Sequence, residues 1–145
     1  MPCGALVNLL EGEYDLYAYD ETTTYWKNKK TTESDFTELE ATKGYLYANA
    51  EEVTLEFLGT LENSSATITV PLSFTDEANL SGFNLVGNPF SCNAYLDREY
   101  YTLSTDGTDI NSEAIPATTP IPPGTAVFVK AEAEGETVVF TRVVQ

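Results

Sequence analysis

Acid–base chemistry in this chain would have to be done by carboxylates, because 23 Asp and Glu are present and histidine is absent. The absence excludes the histidine-dependent triads, the HExxH zinc sites and imidazole general bases. Two carboxylates with separated pKa values are enough for a glycosidase. Glu11, Glu13, Asp15, Asp20, Glu21, Glu33, Asp35, Glu38 and Glu40 crowd the first 40 positions. A run of acidic side chains ordinarily marks a solvated face, and a solvated face is expected of this one. Calcium is the other chemistry that acidic loops suit, through hard oxygen ligands. Asp106 and Asp109, in Thr105-Asp106-Gly107-Thr108-Asp109-Ile110-Asn111, are the best placed. Thr102 and Ser104 stand where a calcium loop carries its earlier carboxylates, so a plain β-turn at Asp106-Gly107 is expected, with no bound metal or cofactor.

Aromatic side chains supply a second kind of chemistry, since Tyr and Trp faces stack on sugar rings while their polar tips hydrogen-bond. Tyr14, Tyr17, Tyr19, Tyr25 and Trp26 lie close together in the sequence. On a strand, Tyr17 and Tyr19 share one face and Leu16 and Ala18 the other. With Leu16 and Ala18 inward, Tyr17, Tyr19, Tyr25 and Trp26 form an exposed carbohydrate shelf; in the opposite register the tyrosines are core. The cluster Lys27, Lys29 and Lys30 reads as a solubilising loop tip rather than an anion site.

The elements that must position these groups are strands. The chain has 145 residues, 42% of them hydrophobic, which describes one globular domain able to bury a core without staples. Thr, Tyr and Val are frequent, Gly and Pro punctuate, and no window carries a helical stripe. Ala66, Ile68, Val70, Leu72 and Phe74 alternate with Thr67, Thr69, Pro71 and Ser73, so one face is buried. Pro71 cannot donate to a ladder, which predicts an edge strand. Two hairpins are expected: Gly44 to Ala48 with Val53 to Phe57 across Asn49–Glu52, and Ala126 to Val129 with Thr137 to Phe140 across Glu132–Gly135. Proline-rich residues 116–123 read as a stiff extended link.

The hairpins suggest an internal repeat, with units at about 14–58 and 82–141 of a single domain spanning 1–145. The second unit opens with Gly82-Phe83-Asn84-Leu85-Val86-Gly87-Asn88-Pro89-Phe90, and the first has no counterpart. The expectation is an all-β sandwich, jelly-roll-like or Greek-key, that is a fragment of a larger protein and leaves an unpaired edge open to homodimerisation. Gly87 and Asn88 are expected to supply the positive-φ positions of a tight turn, with Pro89 setting its exit. Asn84 and Asn88 read as side chains that cap local backbone.

Net charge is −16, which disfavours nucleic acid and anionic membrane as partners. No run reaches the roughly 20 apolar residues of a membrane-spanning helix, so no membrane insertion is expected. Cys3 and Cys92 are too few and too far apart for a zinc motif and read as two idle thiols or one disulfide. Asn63-Ser64-Ser65 fits the glycosylation pattern without deciding anything.

The stretch from Gly82 to Phe90 resembles a repeat of secreted and cell-surface proteins of Bacteroides, Prevotella and their relatives, in which a Tyr-rich strand and a Pro-Gly-x-x-Phe-Val-Lys-Ala strand follow. Pro123-Gly124-Thr125-Ala126-Val127-Phe128-Val129-Lys130-Ala131 is similar to that last element, and Tyr14 to Tyr17, Trp26 to Asn28 and Lys43 to Ala48 look like the preceding unit. The resemblance implies a non-enzymatic β-sandwich, of accessory, adhesion or structural type, near the C-terminal end of an exported protein. It implies an extracellular or cell-surface location, and partners that are other domains of the parent, a surface protein or a glycan. It transfers no catalytic residue. The alternative is a carbohydrate-binding module built on the Tyr and Trp cluster.

Overall fold

The computed structural model describes residues 13–30, 39–55, 65–76 and 82–144. The fold is all-β. Among the described residues eight strands follow in order: β1 Tyr14–Asp20, β2 Tyr25–Asn28, β3 Tyr45–Asn49, β4 Thr67–Pro71, β5 Phe83–Gly87, β6 Ala94–Leu96, β7 Ala126–Lys130 and β8 Thr137–Arg142. They form antiparallel sheets ordered β2-β1-β3, β4-β8-β6 and β5-β7.

The second and third sheets pack face to face. Val70 of β4, Ala94 and Leu96 of β6, and Val138 and Phe140 of β8 meet Val86 of β5 and Val127 and Val129 of β7 in one buried cluster. Period-two alternation explains the division: Val138 and Phe140 are fully buried, while Val139 between them is half-buried and Thr137 and Thr141 on either side are exposed. Ile68, Val70, Leu72 and Phe74 all join this core, as their alternation predicts. Pro71 stands at the end of β4, an edge strand, opposite Thr137. Leu72 donates its N–H to the Glu136 carbonyl at 2.9 Å and Arg142 donates to the Ala66 carbonyl at 2.9 Å. Even-numbered residues of β4 therefore turn their N–H groups to β8, and Pro71 occupies an outward position where its missing donor breaks no ladder bond.

Both expected hairpins are replaced by other pairings. β7 and β8 follow each other closely but lie in different sheets, so residues 131–136 form an arch across the sandwich. Arg98 braces that arch, donating to the carbonyls of Lys130 at 3.1 Å and Thr137 at 2.8 Å and facing Glu136 at 3.5 Å. β3 pairs with β1, Leu46 opposite Tyr17, and residues 52–55 carry no strand; Phe57 lies outside the described residues. Among the described residues, the successive strands that pair as a hairpin are β1 and β2. Both Tyr-rich segments run antiparallel to the strand that follows a glycine: Tyr17 faces Leu46, and Tyr101 exchanges hydrogen bonds with Phe128 at 2.7 and 2.8 Å.

The Gly87-Asn88-Pro89 corner also works differently from the expectation. Neither Gly87 nor Asn88 has positive φ. Gly87 ends β5 in extended conformation, and its lack of a side chain serves close approach: a Cβ there would stand 3.1 Å from the Lys43 carbonyl oxygen. The left-handed position of the motif is Gly82, with φ of 83° and a would-be Cβ only 2.2 Å from the Ala131 carbonyl oxygen. Asn88 is buried and caps backbone: its amide donates to the carbonyls of Cys92 and Ile121, both at 2.9 Å, and its oxygen accepts from Phe90 N–H at 2.9 Å. Asn84 likewise bonds both polar backbone groups of Ser73 and the Gly82 carbonyl. Asn88→Ala should cost about 2 kcal/mol, since it orphans groups buried with that side chain, and urea unfolding would measure it. Cys92 is a free thiol near the Val143 carbonyl; Cys3 lies outside the described residues.

Candidate functional site

The side chains singled out for sugar binding divide between two faces of the first sheet. Register places Tyr17, Tyr19 and Trp26 on one face and Leu16, Ala18 and Tyr25 on the other. The first face packs inward. Tyr19 is buried, and its ring meets Trp26 at 5.2 Å and Phe128 at 5.3 Å, with interplanar angles of 66° and 89°. Trp26 meets Phe128 at 6.1 Å and Tyr17 at 6.5 Å, again edge to face. The other face is covered too, with Leu16 packed among Tyr14, Leu39, Tyr45, Tyr47 and Leu55. Neither register of the simple inside–outside reading holds, because the sheet is buried on both sides. A flat aromatic shelf is replaced by an edge-to-face cluster, the arrangement that ring quadrupoles favour in a core. Tyr25 stands apart at 73% exposure.

Phe128 makes this cluster necessary. Val127 and Val129 point into the sandwich, so Phe128 between them points the other way and needs a cover. Tyr19 and Trp26 provide it.

Beside the aromatic cluster, the β1–β2 turn, residues 40–43, the end of β4 and strand β5 enclose a cleft of about 280 Å³. Tyr19, Asp20, Glu21, Glu40, Thr42, Lys43, Pro71, Ser73 and Asn84 contribute to its lining. Thr42 takes a φ of 70°, rarely adopted outside glycine, and the turn is clipped to β5 by Gly87 N–H to Thr42 carbonyl at 2.8 Å and Gly44 N–H to Leu85 carbonyl at 3.0 Å.

Each carboxylate of the cleft has protein partners. Asp20 is subject first to burial, which pushes its pKa up, but hydrogen bonds from Thr22 and from Lys27 outweigh that and hold it below the ordinary carboxylate value. Its contacts are Thr22 Oγ1 at 2.6 Å, Thr22 N–H at 3.0 Å and Lys27 Nζ at 3.2 Å. Glu40 faces Lys43 Nζ at 3.5 Å. Glu21 is buried, against the expectation of a solvated acidic face: its Oε1 accepts from Thr75 N–H at 2.6 Å and Gly82 N–H at 2.9 Å, and its Oε2 from Thr75 Oγ1 at 3.0 Å. No local signal could have found Glu21, because its partners stand 54 and 61 residues away. The Tyr19 hydroxyl is buried without a hydrogen-bond partner among the described residues. Burial, then the charges of Glu21 and Asp20, raise its pKa, so it remains a neutral phenol.

Asp106 and Asp109 form the tip of a small hairpin, Leu103 opposite Ile110, with Gly107 at φ of 76°. Among the described residues, no group of three or more His, Cys, Asp or Glu side chains is arranged to hold a metal. Asp106 instead accepts from Ser104 Oγ at 2.6 Å, Thr108 Oγ1 at 2.8 Å and Thr108 N–H at 3.1 Å, and these bonds, that of Ser104 foremost, lower its pKa from 3.8 to about 2. Asp109 is exposed, and its carbonyl accepts from Ser104 N–H at 2.7 Å. A depressed carboxylate stabilises the fold above its unfolded pKa and ceases to do so as pH falls through its folded one. The Asp106 contribution is thus complete above pH 3.8 and fades towards about 2. Carboxyl-carbon NMR should place the Asp106 midpoint near 2, and Ser104→Ala should move it upward.

No family model matches the chain, and no curated protein or solved structure is significantly similar to it.

Proposed function

We propose that the chain is a non-enzymatic accessory domain, of adhesion or spacer type, in an exported bacterial protein. One observation carries this reading: Glu21, the buried carboxylate of the cleft, is consumed by Thr75 and Gly82. A general acid or base must reach a proton on its substrate, and a carboxylate that fastens backbone amides from distant segments is a structural tie. The likeness of residues 82–90 and 123–131 to Bacteroides and Prevotella surface repeats supports an exported, cell-surface parent. The shared pairing of Tyr17 with Leu46 and Tyr101 with Phe128 supports the repeat. The test is a panel of aryl glycosides offered to the wild type and to Asp20→Asn, Glu21→Gln and Glu40→Gln. No turnover by any of the four is expected, and turnover by the wild type that Asp20→Asn or Glu40→Gln abolishes would overturn the reading.

A carbohydrate-binding module is the second reading, favoured by the exposure of Tyr25 at 73%. It requires that Tyr25→Ala and Trp26→Ala both weaken binding to a soluble glycan that shifts Trp26 emission.

A further inference from the structure

β4 carries backbone groups that nothing in the described structure uses. It is the terminal strand of its sheet, with β8 on one side. The ladder bonds that flank it, Leu72 N–H to Glu136 carbonyl and Arg142 N–H to Ala66 carbonyl, put the N–H groups of Thr67 and Thr69 on the outer side. Neither amide has a partner among the described residues. Natural sheets guard such edges with charge, a bulge or a covering loop. Here Ala66 to Phe74 contains no charged residue, in a chain whose net charge is −16, and the guard it carries is Pro71, which has no N–H to offer on the outer side. The strand is also firmly held, because Val70 is buried in the core and Leu72 follows it there.

The open edge leads directly to the acidic cleft. Pro71, its last residue, lines the cleft together with the three carboxylates of Asp20, Glu21 and Glu40, against two ammonium groups, that of Lys43 in the lining and that of Lys27 at 3.2 Å from Asp20. A row of free backbone donors and acceptors thus ends at a negatively charged recess. We infer that β4 is a strand-addition site for an extended segment of a partner protein, with an uncharged, β-forming core and a Lys or Arg at the end that lies beside Pro71. Main-chain bonds to Thr67 and Thr69 supply the attachment, and the basic side chain over the cleft fixes register and direction. A second copy of the chain is disfavoured by repulsion between two bodies of charge −16. This inference rests on the accessory reading, for which it names the docking element.

The experiment is titration of the full chain, followed by amide NMR, with three synthetic peptides: Arg-Arg-Thr-Val-Thr-Val-Thr, the same core with Glu-Glu in place of Arg-Arg, and the basic peptide with its backbone N-methylated at alternate residues. The basic peptide should shift the Thr67 and Thr69 amides and slow their hydrogen exchange. It should bind at least about tenfold more tightly than the acidic one, and N-methylation should abolish binding. Thr69→Pro, which removes an outward donor without touching the ladder to β8, should abolish binding while the Val138 and Phe140 amides keep their shifts. Equal binding by that variant, or shifts confined to other residues, overturns the inference. Shifts of the same amides with protein concentration alone, lost in Thr69→Pro, overturn it in favour of a second copy. A peptide that binds nowhere overturns the docking site and leaves the accessory role standing, whereas glycoside turnover overturns that role separately.

Discussion

Phe128→Ala should destabilise the fold by about 4 kcal/mol, in the range of large-to-small changes at buried aromatic positions. The side chain is 1% exposed and sits where β7 meets the first sheet, with Tyr19 at 5.3 Å and Trp26 at 6.1 Å. Truncation loses the transfer free energy of the ring and leaves a hole between strands whose positions are set by their own ladders, so collapse is incomplete. It also removes the edge-to-face partner of two rings. Urea unfolding would measure the loss, and the native emission of Trp26 should move to longer wavelength as water reaches the indole. Tyr25→Ala, at an exposed position at the end of the same sheet, should change stability by less than about 0.5 kcal/mol. Equal effects of the two substitutions would mean that the first sheet does not pack on Phe128.

Glu21→Ala should cost about 3 kcal/mol, and Glu21→Gln about 1 kcal/mol or less. Alanine leaves the N–H groups of Thr75 and Gly82 without their acceptor. The asymmetry between making a bond and stranding a buried donor sets the size of the effect. Glutamine keeps the arrangement, because its carbonyl oxygen can accept from both amides while its NH2 donates to the Thr75 hydroxyl, which turns from donor to acceptor. Thermal or urea unfolding of the two variants side by side distinguishes a hydrogen-bonding role from a charge role: similar large losses would make the negative charge the essential property.

Much of the secondary structure was legible in the sequence, and the pairings were not. The alternation reports the burial of Ile68, Val70, Leu72 and Phe74, though Ala66 at its start is exposed, and Pro71 reports an edge, because both follow from local geometry. Which strand lies beside which is a property of the whole chain. Ala126 to Lys130 and Thr137 to Arg142 look like the arms of a hairpin in sequence, yet they belong to opposite sheets. The aromatic site failed for a related reason. Period two divides Leu16 and Ala18 from Tyr17 and Tyr19 correctly, but it cannot say that both faces will be covered, one by Leu39 and Leu55 and the other by Phe128. Gly87 was misread because glycine serves two purposes, positive φ and close approach, and a single sequence does not distinguish them.

The place of β8 between β4 and β6 has a kinetic consequence. Both neighbours pair with β8 and not with each other, and both precede it by long stretches of chain. Among the described strands, that half of the sandwich therefore has no local nucleus: β4 and β6 join its ladder only once loops of many residues have closed. Folding should be slow for a domain of this length, in the range of milliseconds to seconds found for proteins dominated by non-local strand pairing, and should wait on the docking of β8. Stopped-flow refolding of Val138→Ala should then show a reduced folding rate with little change in unfolding rate, the signature of a residue already engaged at the barrier.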